Sequence, residues 1–409
     1  MKQKNVIIVG GGAAGLVAAI TAARKGAKVT IIEQKDRLGK KILSTGNGKC
    51  NLTNEYMDLS CFRSDDMSIV PKVLDVFGFE NTMNFFSELG VILKNRQGYI
   101  YPISDQATTI VDVLVMEVNQ LGITVLLEES VKHISSTKKG YLIQTSKQAL
   151  IGDAVILATG GKAAPVLGSD GSGYSIAKKF GHHLSPVVPA LVQLKGKGNF
   201  FKQVSGVRTQ ATVSAYIDGN LCSSDTGELQ LTNYGISGIP VFQISRYVSK
   251  ALYEKQKASV EVDFLPSMND QEFAEFLEKR MQRHGDKVAS DFFTGIFHQK
   301  LIALFLKISR IGAQVPAKEI TKDQIQLFIK VSKHFFVDIE GTNDFEQAQI
   351  CAGGIKTNEI NPDTMESLLS KNLYLTGELL DVDGICGGYN LQWAWATGYI
   401  AGKHAAKGN

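Results

Sequence analysis

The run Asn5-Val6-Ile7-Ile8-Val9-Gly10-Gly11-Gly12-Ala13-Ala14-Gly15 decides the fold. A helix-forming stretch follows it, and then a second apolar strand, Lys28-Val29-Thr30-Ile31-Ile32, which ends at Glu33. Strand, glycine turn, helix, strand and terminal acid come in the order a dinucleotide site needs. Gly10 allows a tight turn. Gly12, without a Cβ, lets a pyrophosphate approach the backbone. Gly15 lets the helix pack close to the sheet. The helix opening near Ala13 turns free N–H groups and its positive dipole end toward the phosphates. Glu33 lies eighteen residues after Gly15 and suits ribose hydroxyls. Its charge would repel a 2′-phosphate, so NADP is not expected at this turn.

The 409 residues exceed one ordinary domain, so two or three are expected. A net charge of +4 is small for this length, and the charges are mixed. Basic pairs such as Lys40-Lys41 and Lys178-Lys179 read as solvated surface, so no nucleic-acid partner is expected. Five scattered cysteines form no CxxC, which fits a reducing cytoplasm and excludes a disulfide framework or zinc site. The seven histidines show no HxxxH or HExxH spacing, so no metal is expected. No apolar run approaches a membrane span, and no basic leader precedes the first strand.

Residues 34–54 read as a long ligand-facing loop. Ile69–Leu89 predicts one or two helices, Thr108–Leu121 a helix, and Ile123–Leu127 a buried strand. Tyr141–Thr145 and Ala154–Ala158 follow as strands, the latter running into Thr159-Gly160-Gly161. After Pro186 the pattern becomes short strands at Leu191–Leu194, Gln210–Ile217, Glu228–Leu231 and Ser259–Phe264, an antiparallel sheet or small barrel. Asp270–Arg283, Asp286–Ile308 and Thr321–Lys333 predict helices, with caps at Asn269 and Thr321. The C-terminal stretch, Leu373 to Gly398, reads as a strand, a polar turn, two adjacent glycines and a helix. The reading is therefore an α/β chain in three parts. A Rossmann-like dinucleotide-binding domain takes 1–189 and 345–409. A β-rich domain takes 190–266 and 335–344, and a helical insert takes 267–334. A binding fold split between both ends suits a long cofactor such as FAD better than a simple NAD site.

Two further clusters point the same way. The loop from Gly39 to Asn54 carries glycines, hydroxyls, amides and cations that can wrap a diphosphate or face a polar ring edge. A helix beginning near Tyr389 would face the N1–C2=O edge of a flavin and stabilise the anion formed there on reduction.

GGGAAG, GKKILSTGNGKCNLTN, ILATGG…GSDGSGY, LTNYGISGIPVFQIS, AGGI and GELLDVDG…GGYNLQWAWATG stand in that order over nearly the whole chain. Together they resemble the bacterial flavoproteins that include aminoacetone oxidase and the bile-acid 4,6-dehydro reductase. The resemblance implies that the three parts are a Rossmann-like, two-dinucleotide-type FAD-binding domain, a β-rich substrate domain and a helical insert. The resemblance implies FAD, with this candidate set: Gly10, Gly12, Ala13, Ala14, Gly15, Glu33 and Gln34; Lys41, Ser44, Thr45, Gly46, Gly48, Lys49, Cys50 and Asn51; Val131; Ala158, Thr159 and Gly160; Gly377, Glu378, Asp383, Gly388, Tyr389, Asn390 and Leu391. Relatives often have Arg where Lys49 stands, which costs a bidentate fork, and an aromatic at Ala163-Ala164.

Flavin carries the redox step, so no catalytic dyad is required. Asn51, Tyr389 and Asn390 are the catalytic candidates. Cys50 reads as a packing thiol more than a redox one. Trp393 and Trp395, two apart, face different ways, one of them into the core. His182-His183 mark a helix end. Tyr234 is a substrate-facing candidate, and Phe200-Phe201 a lid or core pair. The expected activity is an FAD-dependent oxidoreductase of the CH–CH type. It would pass hydride between flavin N5 and a small substrate such as an enone, with NADH or NADPH visiting transiently. An O₂-using oxidase of a small amine, and an FAD-containing RNA-modifying or RNA-binding protein, are the alternatives. Substrate and oligomeric state are not read from the sequence.

Overall fold

The computed structural model describes residues 3–407. The chain forms two compact bodies, Met1–Val188 with Gln349–Asn409, and Pro189–Ala348.

The first body is built on a five-stranded parallel sheet. Its order is Leu373–Leu375, Ala154–Leu157, Asn5–Val9, Lys28–Ile32, Thr124–Leu126. Val9 lies between Leu157 and Ile32 in register. The Val/Ile runs are buried on both faces, as parallel strands covered by helices must be. The chain leaves Asn5–Val9 on one side to form Lys28–Ile32 and returns on the other to form Ala154–Leu157. That reversal opens a crevice beyond the carboxyl end of Val9. Thr124–Leu126 is a half-exposed edge strand, not the buried one expected, because nothing pairs with its outer side within the sheet.

Helix Ala13–Arg24 is buried continuously from Ala14 to Ala22, matching its unbroken run of small and apolar residues. The C-terminal helix, Tyr389–Ala405, packs along it. The stretch 69–89 resolves into two helices, Ile69–Val76 and Phe79–Glu88. His182 is a strut in this body. Its ring nitrogens lie 2.9 Å from Glu359 Oε2 and 2.8 Å from Ser367 Oγ. The row has the order of a hydrolytic triad, but Ser367 Oγ accepts the Leu369 and Ser370 amides and is buried. It braces the 357–370 loop.

The second body holds a closed six-stranded antiparallel barrel. Around it run Leu194–Gly196, Gly235–Gly238, Asn220–Leu231, Arg208–Ile217, Ala258–Asp263 and Phe335–Thr342. Alternate residues such as Ala211, Val213 and Ala215 are buried, as period-two strands require. The first barrel strand starts at Leu194, so Leu191–Leu194 is not the strand expected. Helix Ile239–Tyr253 interrupts the strands, burying Val241, Ile244 and Val248 on one face, with Pro240 in its first turn. The sequence reading missed it. Helices Asp270–His284 and Lys322–Lys333 carry capping boxes at Asn269/Glu272 and Thr321/Gln324. The single helix expected over 286–308 is two, Ala289–Phe292 and Gln299–Ile308, joined by a turn through Gly295. Barrel strands and helices share one apolar core, in which Phe305 packs near both Phe328 and Phe335. Phe201 lies in it too, with Phe200 tilted against its ring at 4.3 Å, so this pair is core and not lid.

His334, at the end of Lys322–Lys333, sits between Glu261 and Asp270, and Tyr216 donates to the other oxygen of Glu261. The Glu261 hydrogen bond, with help from Asp270, holds the imidazole above its ordinary value against the opposing effect of burial. A raised folded pKa gives stability that is fully present below the unfolded value of about 6.5 and fades as pH rises through the folded one. The melting temperatures of wild type and His334→Ala should therefore differ more at about pH 6 than at about pH 9. Equal gaps at both pH values would refute the clamp.

Candidate functional site

The crevice over Val9 is bounded by the first glycine turn. A Cβ on Gly10, whose φ is +104°, would lie 2.4 Å from the Ala158 carbonyl oxygen, and one on Gly15 would lie 1.9 Å from Gly10 O. Both positions are closed to any side chain. Gly12 is the opposite case: a Cβ there meets nothing within 4 Å. Gly12 is also the N-cap of Ala13–Arg24 and offers no side-chain cap. The first helical N–H groups therefore face open space, as an anion site requires.

Glu33 is 8% exposed. Its Oε2 accepts the Gly11 N–H at 2.8 Å, and Oε1 accepts the Lys35 N–H at 2.8 Å. The carboxylate thus fixes the glycine turn, and each oxygen keeps a lone pair for a hydroxyl. The neighbouring candidates gather here. Gln34 Nε2 donates to Gly168 O, and the Glu129 N–H donates to Glu33 O, bringing the strand that begins at Val131 alongside.

The second wall is the 41–51 loop. Gly46, Asn47, Gly48 and Cys50 all have φ between 54° and 82°. Such a cluster with two non-glycine members stores backbone strain of the kind found at functional sites. Lys41 Nζ pairs with Glu378 Oε2 at 2.8 Å, while Glu378 Oε1 accepts the Cys351 N–H. Ser44 and Thr45 hydroxyls donate to the carbonyls of Lys41 and Ile42, folding the loop on itself. Cys50 is fully buried, and burial pushes its thiol up to about 12, so it stays protonated near neutrality. Asn51 is 8% exposed, and its Oδ1 is buried with no hydrogen-bond partner. A buried amide oxygen left bare is costly unless a ligand or water satisfies it.

The third wall is the 377–391 segment. Two indoles pin the loops: Trp393 Nε1 donates to Gly377 O at 3.1 Å, and Trp395 Nε1 to Leu52 O at 3.0 Å. Both rings are buried, where only one was expected to be. Gly388 caps Tyr389–Ala405 with φ +95° and again no side-chain cap. Asn390 is not free for chemistry. Its Oδ1 accepts from Gly384 N at 2.8 Å and its Nδ2 donates to Gly384 O at 2.9 Å, so it closes the 384–390 loop. Tyr389 donates to Tyr56 O at 2.9 Å, and its ring meets Phe62 edge-on. Burial raises its phenol pKa, which disfavours ionisation in a proton relay. Asp383 is buried and paired in register with Arg63 on the neighbouring strand.

Tyrosines border these glycines. A Cβ on Gly387 would lie 3.3 Å from a Tyr99 ring carbon, and one on Gly46 would lie 3.5 Å from a Tyr101 ring carbon. Tyr99 is 42% exposed and Tyr56 64%. The sequence reading singled out neither, because nothing local marks a tyrosine on Tyr99–Pro102 as rim rather than surface. Tyr234, in the second body, bonds Asn343 through its hydroxyl.

Two bare helix N-termini and an open position over Gly12 fit a dinucleotide laid along these three walls. Among the described residues no group of three or more His, Cys, Asp or Glu side chains is arranged to hold a metal ion, and no helix is long and apolar enough to cross a membrane.

Residues 4–404 match the family described as HI0933-like protein Rossmann domain. The chain is 51% identical over 411 residues to the 3-dehydro-bile acid delta(4,6)-reductase of Clostridium scindens, covering 99% of this chain and 100% of that protein. It is 30% identical over 401 residues to the ribosomal RNA dihydrouridine synthase of Haemophilus influenzae, covering 96% of each. Among solved structures, the 3-ketosteroid delta1-dehydrogenase from Sterolibacterium denitrificans aligns over 99% of this chain and 100% of its own, with a TM-score of 0.51 at 12% identity, a likeness of fold.

Proposed function

The chain belongs to the HI0933-like family and is an FAD-dependent oxidoreductase, and from that premise we propose that it reduces a carbon–carbon double bond conjugated to a carbonyl in a flat, ring-shaped small molecule. The observation that carries this reading is the 51% identity, end to end, with a reductase named for such a bond in a bile acid. When bound, FAD supplies two-electron chemistry, taking electrons from a donor and passing them to an acceptor. Overall, two electrons and two protons add across the double bond. A reduced nicotinamide brings one hydride and solvent brings the second proton.

The chain's own residues have separable tasks in this reading. The Gly12 turn and Glu33 hold the ADP half. Lys41, Glu378 and the Asn51 amide hold the middle of the cofactor and its ring edge. The N-terminus of Tyr389–Ala405 favours negative charge developing beside it. Tyr99, Tyr101 and Tyr56 give a flat, weakly polar rim suited to a fused-ring substrate.

A second reading is reduction of uridine in ribosomal RNA, favoured by the 30% identity with the dihydrouridine synthase. The chemistry is the same, since the 5,6-bond of uracil is conjugated to its C4 carbonyl. The balanced charge of the chain favours the small molecule, because RNA affinity rests on cations that neutralise phosphates.

Anaerobic addition of NADH, then NADPH, to the purified protein tests both. The flavin bands should bleach, then return when a 3-oxo-4,6-diene steroid is added. Return with ribosomal RNA and not with the steroid moves the assignment to the second reading. Bands that never bleach remove the nicotinamide, and a protein that shows no flavin even after FAD is added sinks both.

A further inference from the structure

The strands Leu93–Arg96 and Tyr99–Pro102 are joined through Gln97 and Gly98, whose φ angles are 53° and 91°. So tight a turn fixes the register, with Arg96 opposite Tyr99 and Lys94 opposite Tyr101. Cross-strand partners and alternate residues share a face. Two cations and two tyrosines therefore stand on one side of the hairpin, while Ile100 is buried on the other. The tyrosine rings lie against both loops that bound the crevice. Tyr99 meets Gly387, next to the bare helix end at Gly388, and Tyr101 meets Gly46.

The two cations are not equally engaged. Asp105 Oδ2 lies 2.6 Å from Lys94 Nζ and 2.6 Å from Arg96 Nη2. Lys94 also donates to Ile103 O, and its side chain is 20% exposed, so it stays and neutralises Asp105. Arg96 is 47% exposed, and its Nε and Nη1 donate to nothing among the described residues. Its guanidinium lies 5.7 Å from the Tyr101 ring centre. The Lys94 hydrogen bond and the charges of Arg96, Lys94 and Lys49 hold the Asp105 carboxyl below its ordinary value, which puts Lys49 in the same cluster. Three cations thus share one carboxylate, and the nearby Glu55 is bonded to Asn95.

We propose that Arg96 receives a carboxylate at the end of the substrate, whose rings lie on Tyr99 and Tyr101. The proposal rests on the reading of the site as one for a flat enone, and it adds a charged end to that molecule. An arginine bonded to Asp105 through one nitrogen keeps the donors on its other two, held in a fixed plane. Such a fork suits a carboxylate, and the Tyr101 ring supports its position. Lys49 adds attraction without fixing geometry. A phosphate of the nicotinamide donor would present the same anionic oxygens, so the test separates the two sources.

Anaerobic holoenzyme, its flavin reduced with stoichiometric dithionite, is mixed with a 3-oxo-4,6-diene steroid acid or with the methyl ester of that acid. The half-saturating concentration for flavin reoxidation should be about tenfold lower for the acid in wild type. Arg96→Gln should raise it about tenfold for the acid and leave the ester within about twofold. Arg96→Lys, which keeps the charge and loses the fork, should fall between. Equal values for acid and ester in wild type, or the same change for both in Arg96→Gln, overturn the proposal. So does a half-saturating concentration that rises in Arg96→Gln for NADH or NADPH and not for the acid, which moves Arg96 to the donor's phosphates. A second measurement needs no variant. Raising salt from about 0.1 M to about 1 M should weaken the acid and not the ester in wild type, because screening acts on charge. Salt that acts on both alike overturns the proposal. If wild type reduces neither compound, the enone reading fails and this proposal with it. If it reduces both alike, only this proposal fails.

Discussion

Gly12→Asp yields a folded protein that has lost FAD. The outcome follows from the difference between three neighbouring glycines. A Cβ on Gly10 or Gly15 would drive into backbone oxygens at 2.4 and 1.9 Å, so substitution there damages the turn itself. A Cβ on Gly12 meets nothing within 4 Å, and φ at −83° suits any residue. Aspartate is also among the best N-cap residues, worth roughly a few tenths of a kcal/mol over glycine at that position. The apoprotein should therefore melt no lower than wild type. The same carboxylate takes the N–H groups meant for phosphate and sets a charge against it. Unit charges about 4 Å apart near a protein surface interact by about 4 kcal/mol. FAD affinity should fall at least about a hundredfold, read by flavin fluorescence during titration. An apoprotein that unfolds, or one that still binds FAD tightly, would show that Gly12 does not front the pyrophosphate.

What the sequence made legible is what local rules govern. Asn5–Val9, the glycine turn, Lys28–Ile32 and the capped helices at Asn269 and Thr321 follow from runs, periods and caps that lie within a dozen residues. Whether the short strands make an open sheet or a small barrel stayed open, because register between Leu194–Gly196 and Phe335–Thr342 is set by strands far apart in the chain. Ile239–Tyr253 was hidden for another reason. It is rich in β-branched and aromatic residues, and buried spacing at Val241, Ile244 and Val248 overrides that propensity. At the site, the residue types were legible and their partners were not. Asn390 reads as a free amide until Gly384 is seen holding both its ends. Glu33 reads as a ribose ligand, and the fold adds that it also anchors Gly11. Of Trp393 and Trp395 only one reads as a core ring, and each proves to hold a carbonyl of a loop facing the crevice.

The glycines at the end of the chain carry the second large effect. Gly398 and Gly402 are one turn apart on Tyr389–Ala405, so they share a face. A Cβ on Gly398 would lie 2.3 Å from Ala14 O, and one on Gly402 would lie 2.3 Å from Ala18 O. The helix thus rests on the backbone of Ala13–Arg24 along a seam of small residues. In an isolated helix, Gly→Ala gains about 1 kcal/mol. Here the sign reverses, because the atoms in the way are main chain and cannot swing aside. Gly398→Leu should destabilise the apoprotein by about 3 kcal/mol, at the upper end of overpacking costs. The strain lands on Ala14, one of the residues whose N–H groups open the phosphate site. Stability and FAD affinity should therefore fall together, measured by urea unfolding and by FAD titration of the same samples. Gly12→Asp separates those two quantities, so the pair of variants distinguishes a glycine kept for the ligand from one kept for the helix seam. Gly398→Leu with unchanged stability would mean that the two helices can part, and the C-terminal helix would then not be what holds the first helix against the sheet.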